Sequence, residues 1–124
     1  MNITEKIIAN HCGKKIVKPD ELVVVKLDGV LANDVSGPIA IQVFQEMGFK
    51  SAFDRERIYL VNDHFTPNCN INAAMQSKVV RDFAIAQGIR NFYDIGRMGI
   101  EHALLSEKGL VLPGELIIDR KSVV

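Results

Sequence analysis

Short β-branched runs alternate here with stretches whose apolar residues recur at helical spacing, and this alternation constrains the fold more than any other feature. Leu22-Val23-Val24-Val25-Lys26-Leu27, bounded by Pro19-Asp20 and Asp28-Gly29, reads as a strand buried on both faces. Ser36-Gly37-Pro38 opens a helix along which Ile39, Val43 and Met47 repeat every four positions, with Gly48 as its stop. Ile58–Val61 is a second strand. Asn70 caps a long helix with the apolar stripe Ile71, Met75, Val79, Phe83 and Ala86, ended by Gly88. Asn91–Ile95 reads as a third strand, followed by a short helix around Glu101 to Ser106. Leu110–Leu112 and Glu115–Ile118 are further strand candidates around the turn signal Pro113-Gly114. Ahead of all this, Thr4 caps a short helix ending near Gly13. Strand, helix, strand, helix, strand predicts an α/β fold built of βαβ units on a mostly parallel sheet.

Length and composition narrow the class. The chain has 124 residues, a single-domain length, with 48% hydrophobic and 24% charged residues, which excludes disorder. Fifteen basic and fifteen acidic residues cancel, so no net field draws it to nucleic acid or an anionic membrane. No apolar run approaches the roughly 20 residues that span a bilayer. The start, Met1-Asn2-Ile3-Thr4-Glu5-Lys6, lacks a signal-peptide layout, and two cysteines make no disulfide scaffold. The expectation is a cytoplasmic domain.

In open parallel sheets, ligands gather beyond the carboxyl ends of the strands. The polar residues that look too specific for solvation fall there: Asn33-Asp34, Asn62-Asp63-His64, and Gly96-Arg97-Met98-Gly99-Ile100-Glu101-His102. Asp63-His64 is the sharpest pair. A carboxylate beside an imidazole can hold its tautomer and prepare a general acid. Neighbours on a strand diverge, so pairing needs a turn, which Phe65-Thr66-Pro67-Asn68 supplies. Two readings stay open: that pairing, or Asp63 and Asn68 merely bonding the turn with His64 exposed. His102, by its spacing alone, reads more simply as a part-buried histidine satisfied by a backbone carbonyl. Gly96–Gly99 has the form of a nucleic-acid-clamping loop, but the balanced charge offers it no basic surface.

His11-Cys12 lacks the second pair that zinc spacing demands, so packing is its simpler role. Cys69 stands before a helix start with no base assigned to it. A Walker loop, a Gly-x-Ser-x-Gly elbow and a dinucleotide fingerprint are all missing from the sequence.

Three segments arrive in the order and spacing of one family: Leu31-Ala32-Asn33-Asp34-Val35-Ser36-Gly37-Pro38, Asp63-His64-Phe65-Thr66-Pro67-Asn68 and Gly99-Ile100-Glu101-His102-Ala103-Leu104-Leu105-Ser106-Glu107. From Ile3 to Ile118 the chain resembles the N-terminal part of the large subunit of 3-isopropylmalate dehydratases, in the aconitase superfamily. The resemblance implies a partial aconitase-like domain over 3–118, three-layered αβα, with a non-matching tail over 119–124. It implies a parent hydro-lyase that interconverts 2- and 3-isopropylmalate by dehydration and rehydration, in leucine biosynthesis. Homoaconitate, dimethylmalate or a related hydroxy acid is the alternative substrate. It further implies a [4Fe–4S] cluster in the parent and a partner subunit carrying a swivelling domain. By the same resemblance Asp63 and His64 assist protonation of the departing hydroxyl, His102 contacts the substrate region, and Asn33 stands where aconitases place a substrate-binding glutamine.

In the family, the strand corresponding to Glu115–Ile118 runs into Gly-x-Asp-Ser-His-Thr-Cys; here it runs into Asp119-Arg120-Lys121-Ser122-Val123-Val124. The resemblance therefore implies a fragment, a frameshifted product or a remnant. Its cluster cysteines are missing, no metal or cofactor is expected on the chain itself, and it is expected to be inactive alone. The expectation from a different class is a non-catalytic module that self-associates or binds a partner through uncovered apolar faces.

Overall fold

The computed structural model describes residues 1–119. Helix α1 (Ile3–Cys12) precedes strand β1 (Gly29–Asn33), helix α2 (Gly37–Glu46), strand β2 (Ile58–Val61), helix α3 (Ile71–Gln87), strand β3 (Phe92–Tyr93), helix α4 (Glu101–Glu107) and strand β4 (Ile117–Asp119). The strands form one sheet in the order β3-β2-β1-β4, and every pairing is parallel. β1 to β3 step one way across the sheet, then β4 returns to the far side of β1. That reversal places a topological switch point at the carboxyl ends of β1 and β4, where parallel sheets open a ligand crevice.

Alternation along the strands feeds two cores. Leu31, Tyr59, Val61 and Tyr93 face Leu104 and Leu105 of α4. Leu60 joins Ile41 of α2, Val80 and Ala84 of α3, and Ile89 on the opposite face. Helices on both faces complete the expected three-layer α/β arrangement.

Several sequence readings move. The run 22–27 is not a strand: Leu22 and Val24 are almost fully exposed, and the sheet begins at Gly29. β-branched composition favours extended backbone but supplies no pairing edge, and that edge becomes available only beyond Asp28. Asp28 N–H donates to Leu116 O (2.9 Å), and the Asp28 carboxylate accepts the Leu116 N–H (2.8 Å). Gly29 opens the strand because a Cβ there would lie 2.8 Å from Tyr59 Cε2 and 3.0 Å from Ile117 Cδ1. Leu110–Leu112 is no strand either; Leu110 O accepts the Tyr59 hydroxyl (3.0 Å) instead.

Asn2, not Thr4, caps α1, through a reciprocal bond with Glu5. The helix stripes are mis-phased. Ile39 and Val43 of α2 and Met47 at its C-cap are exposed while Ile41 is buried, and Ile71 and Met75 of α3 are exposed while Ala73, Ser77, Val80 and Ala84 are buried. The inner face of α3 carries Ser77, whose Oγ accepts from Asn68, and Val80 and Ala84, which pack with Ile41 of α2 and Leu60. Asn70, with Oδ1 on Ala73 N–H, and Gly88, with positive φ, bound α3 as the sequence predicts.

Candidate active site

The site is assembled at the carboxyl ends of the strands, from the last residues of β1 and β4 and the connections that follow β1, β2 and β3. β1 ends on Asn33, which is fully buried. Its Oδ1 accepts the N–H groups of Val35 (2.9 Å) and Ser36 (2.8 Å), folding the turn into α2. Its Nδ2 reaches both carboxylate oxygens of Glu101, at 3.1 and 3.2 Å.

Asp34, also fully buried, organises the loop after β2. Oδ1 accepts the His64 N–H (3.0 Å); Oδ2 accepts the Phe65 N–H (2.8 Å) and the Thr66 hydroxyl (3.3 Å). That loop turns back on itself, and Asn68 ties it down by donating to Phe65 O (2.7 Å) and Ser77 Oγ (2.8 Å). The turn brings Asp63 Oδ1 to 2.6 Å from His64 Nδ1, the pairing that adjacent strand residues could not make. Asp63 Oδ2 accepts the Glu101 N–H (2.8 Å), so the same carboxylate docks the start of α4. His64 is exposed at the surface of this cluster.

The β3–α4 connection brings Glu101, almost wholly buried, and His102, half-exposed. Burial, with the charges of Asp63 and Asp119 behind it, raises the Glu101 pKa above the usual carboxylate range against the lowering hydrogen bond from Asn33. His102 Nε2 lies 3.0 Å from Asp119 Oδ2 on β4, in place of the backbone carbonyl considered from sequence. Behind the cluster, burial works against ionisation of Asp94. Hydrogen bonds from Asn62, the Ile95 N–H and Arg81 outweigh it and hold that carboxyl below its usual range.

Asp63, His64, Asn33 and His102 thus converge on one sheet edge, joined by two carboxylates that the sequence reading did not single out as site residues. Asp34 and Glu101 were visible as acidic residues next to Asn33 and His102. Their roles depend on partners 30 and 68 residues away, and no local pattern encodes those.

The resemblance also brings an iron–sulfur cluster, whose donors are three or four thiolates. The chain has two cysteines, Cys12 bonded to Ala9 O at the end of α1 and Cys69 exposed ahead of α3. Among the described residues, the groupings of three metal-capable side chains contain no cysteine. This donor set does not fit a cluster.

Comparison with known proteins decides the relationship. A 3-isopropylmalate dehydratase large subunit of Thermodesulfovibrio yellowstonii is 56% identical over 98% of this chain. Those of Moorella thermoacetica (53%) and Pyrococcus furiosus (54%, large subunit 1) match over the same share. The chain is a homologue of the 3-isopropylmalate dehydratase large subunit. It spans 29% of the length of each of these three relatives. No family profile matches it. Among the described residues, no helix of this homologue is long and apolar enough to cross a membrane.

Proposed function

We propose that this chain forms one wall of the active site of a hydro-lyase that interconverts 2- and 3-isopropylmalate, acting in the cytoplasm in leucine biosynthesis. The observation that carries the reading is the Asp63–His64 pair, 2.6 Å apart and backed by Asp34 and Glu101, at the carboxyl edge of a parallel sheet. Loss of a hydroxyl from a hydroxy acid needs a proton delivered to the departing oxygen. His64 delivers it: the C–O bond breaks, the oxygen leaves as water, and imidazolium becomes imidazole. Asp63 fixes the ring orientation at Nδ1, and Asp34 fixes the backbone that presents the ring. Asn33 serves as a positioning residue through Glu101, and His102 flanks the substrate at the β1–β4 crevice. The base that takes the carbon-bound proton, any [4Fe–4S] cluster and its thiolates belong to other parts of the assembled enzyme, as does a small swivelling-domain subunit. No step here runs through the cluster.

The test is His64→Gln in an intact large subunit carrying this sequence. Turnover falls by about 10²-fold or more, with cluster absorbance and fold retained. Wild-type turnover removes His64 from the chemistry.

A second reading, self-association of the chain by itself, is favoured by one observation. Ile39 of α2 and Val79 of α3 line an open groove between those helices, with Met75 and Ile71 exposed further along α3. Sedimentation equilibrium of the 124-residue chain tests it: a dimer or larger species supports it, and a monomer across the concentration range excludes it.

A further inference from the structure

We propose that Glu101, His102 and Asp119 form a binding site for one divalent transition-metal ion, with Zn²⁺ as its natural fit. The three side chains offer a carboxylate, an imidazole and a second carboxylate, whose ligand atoms all lie within 4.8 Å of one another. One imidazole with two carboxylates is a borderline donor set that suits Zn²⁺ better than Mg²⁺ or Ca²⁺. His102 Nε2 and Asp119 Oδ2 are 3.0 Å apart. Two ligands each about 2.1 Å from one ion at tetrahedral to right angles stand roughly 3.0–3.4 Å apart, so this pair already has the spacing of a coordination edge.

A separate observation points to a missing ligand. The Asp119 side chain is 6% exposed, yet its Oδ1 is buried without a hydrogen-bond partner among the described residues. Buried carboxylate oxygens are expensive to leave unpaired, and a cation on this group removes the cost. Glu101 is 2% exposed and both of its oxygens rest on one amide nitrogen of Asn33, which leaves lone pairs on the carboxylate for a cation. The cluster sits at the β1–β4 switch point. His102 and Asp119 line a cavity of about 260 Å³, shared with Ser106 and Glu115, which leaves room for water or a small ligand at the open coordination positions. Asn33 already orients Glu101 from behind, the service that groups behind a metal centre provide to its ligands.

The inference shares Glu101 and His102 with the dehydratase reading but uses no cluster and no reaction, so metal binding is tested without turnover. It is tested by titrating the untagged, chelator-treated chain with Zn²⁺ in a calorimeter, and with Co²⁺ followed by visible absorbance. The expected result is one equivalent bound at micromolar affinity or tighter, with a Co²⁺ spectrum of low-coordinate nitrogen and oxygen ligation and no thiolate charge-transfer band. His102→Ala and Asp119→Asn each weaken Zn²⁺ binding at least tenfold with the circular dichroism spectrum unchanged, while Cys69→Ser binds as the parent does. His102 is half-exposed, so its replacement spares the fold. No saturable binding, or unaltered affinity in both His102→Ala and Asp119→Asn, overturns the site. So does loss of the ion on His64→Ala with retention on His102→Ala, which would place it instead at Asp34, Asp63 and His64.

Discussion

The Asn33 amide nitrogen stands 3.1 Å from Oε1 and 3.2 Å from Oε2 of Glu101, linking the end of β1 to the start of α4 across 68 residues. Glu101 has its pKa raised, by burial first and then by Asp63 and Asp119. A carboxyl raised in the folded state contributes stability that is full below its ordinary unfolded value and is lost as pH rises through the folded one. Glu101→Gln removes that loss. Its thermal midpoint is expected to exceed the parent's at about pH 8 and to match it at about pH 4; equal midpoints at both values would refute the buried-charge account.

Asn33→Asp sets a second carboxylate against Glu101 with no donor between them. Stability falls by about 2–4 kcal/mol near neutral pH, as read by urea unfolding. The deficit shrinks as pH drops and one of the pair takes up a proton. A pH-independent deficit would contradict the charge account, since the new carboxylate still accepts the Val35 and Ser36 N–H groups.

Asp34→Ala leaves the N–H groups of His64 and Phe65 and the Thr66 hydroxyl without their acceptor. The expected cost is about 2–4 kcal/mol, with faster hydrogen exchange confined to the loop after β2. In an intact enzyme, turnover falls with it because His64 rides on that loop. Unchanged exchange at His64 and Phe65 would contradict the arrangement.

His11 fastens α1 to the sheet: Nδ1 lies 2.7 Å from Ile7 O, and Nε2 lies 2.6 Å from Asp28 Oδ2. The hydrogen bond to the Ile7 carbonyl first, and that to Asp28 next, raise the His11 pKa above its ordinary value. The Leu116 N–H, followed by His11, lowers that of Asp28. The His11 contribution is full below about pH 6.5 and fades as pH climbs through the raised folded value. The Asp28 contribution is present above its ordinary range and fades in acid. Proteolysis at Lys14 and Lys15, just past α1, should therefore accelerate on raising the pH above neutral, and His11→Gln should abolish that dependence.

Gly29→Ala forces a Cβ to within 2.8 Å of Tyr59 Cε2, 3.0 Å of Ile117 Cδ1 and 3.2 Å of Arg57 O. The Ile117 tip can swing aside, but Arg57 O is backbone and the buried Tyr59 ring is held by its hydroxyl on Leu110 O, so about 1–3 kcal/mol of stability is lost. A urea midpoint equal to the parent's would show that Tyr59 repacks freely.

The sequence by itself determined where several elements lie and which polar residues follow the strands. Ile58–Val61, the Asn70 cap, the Gly88 stop and the helix at Glu101 are local signals, written in β-branching, capping oxygens and glycine, and they fold where they were read. Asp63 and His64 were legible too, because a turn-forming Phe65-Thr66-Pro67-Asn68 follows them directly. Tertiary structure alone decided the rest. The run 22–27 has strand composition but finds no strand beside it, since pairing depends on the edges that other segments offer. Ile39 and Met75 look like core by periodicity yet face outward. The inner face of α3 instead carries Ser77, tied to Asn68, and Val80 and Ala84, packed with Ile41 and Leu60. Asp34 and Glu101 acquire their roles from partners 30 and 68 residues away, because buried carboxylates are held by whichever donors the fold carries to them.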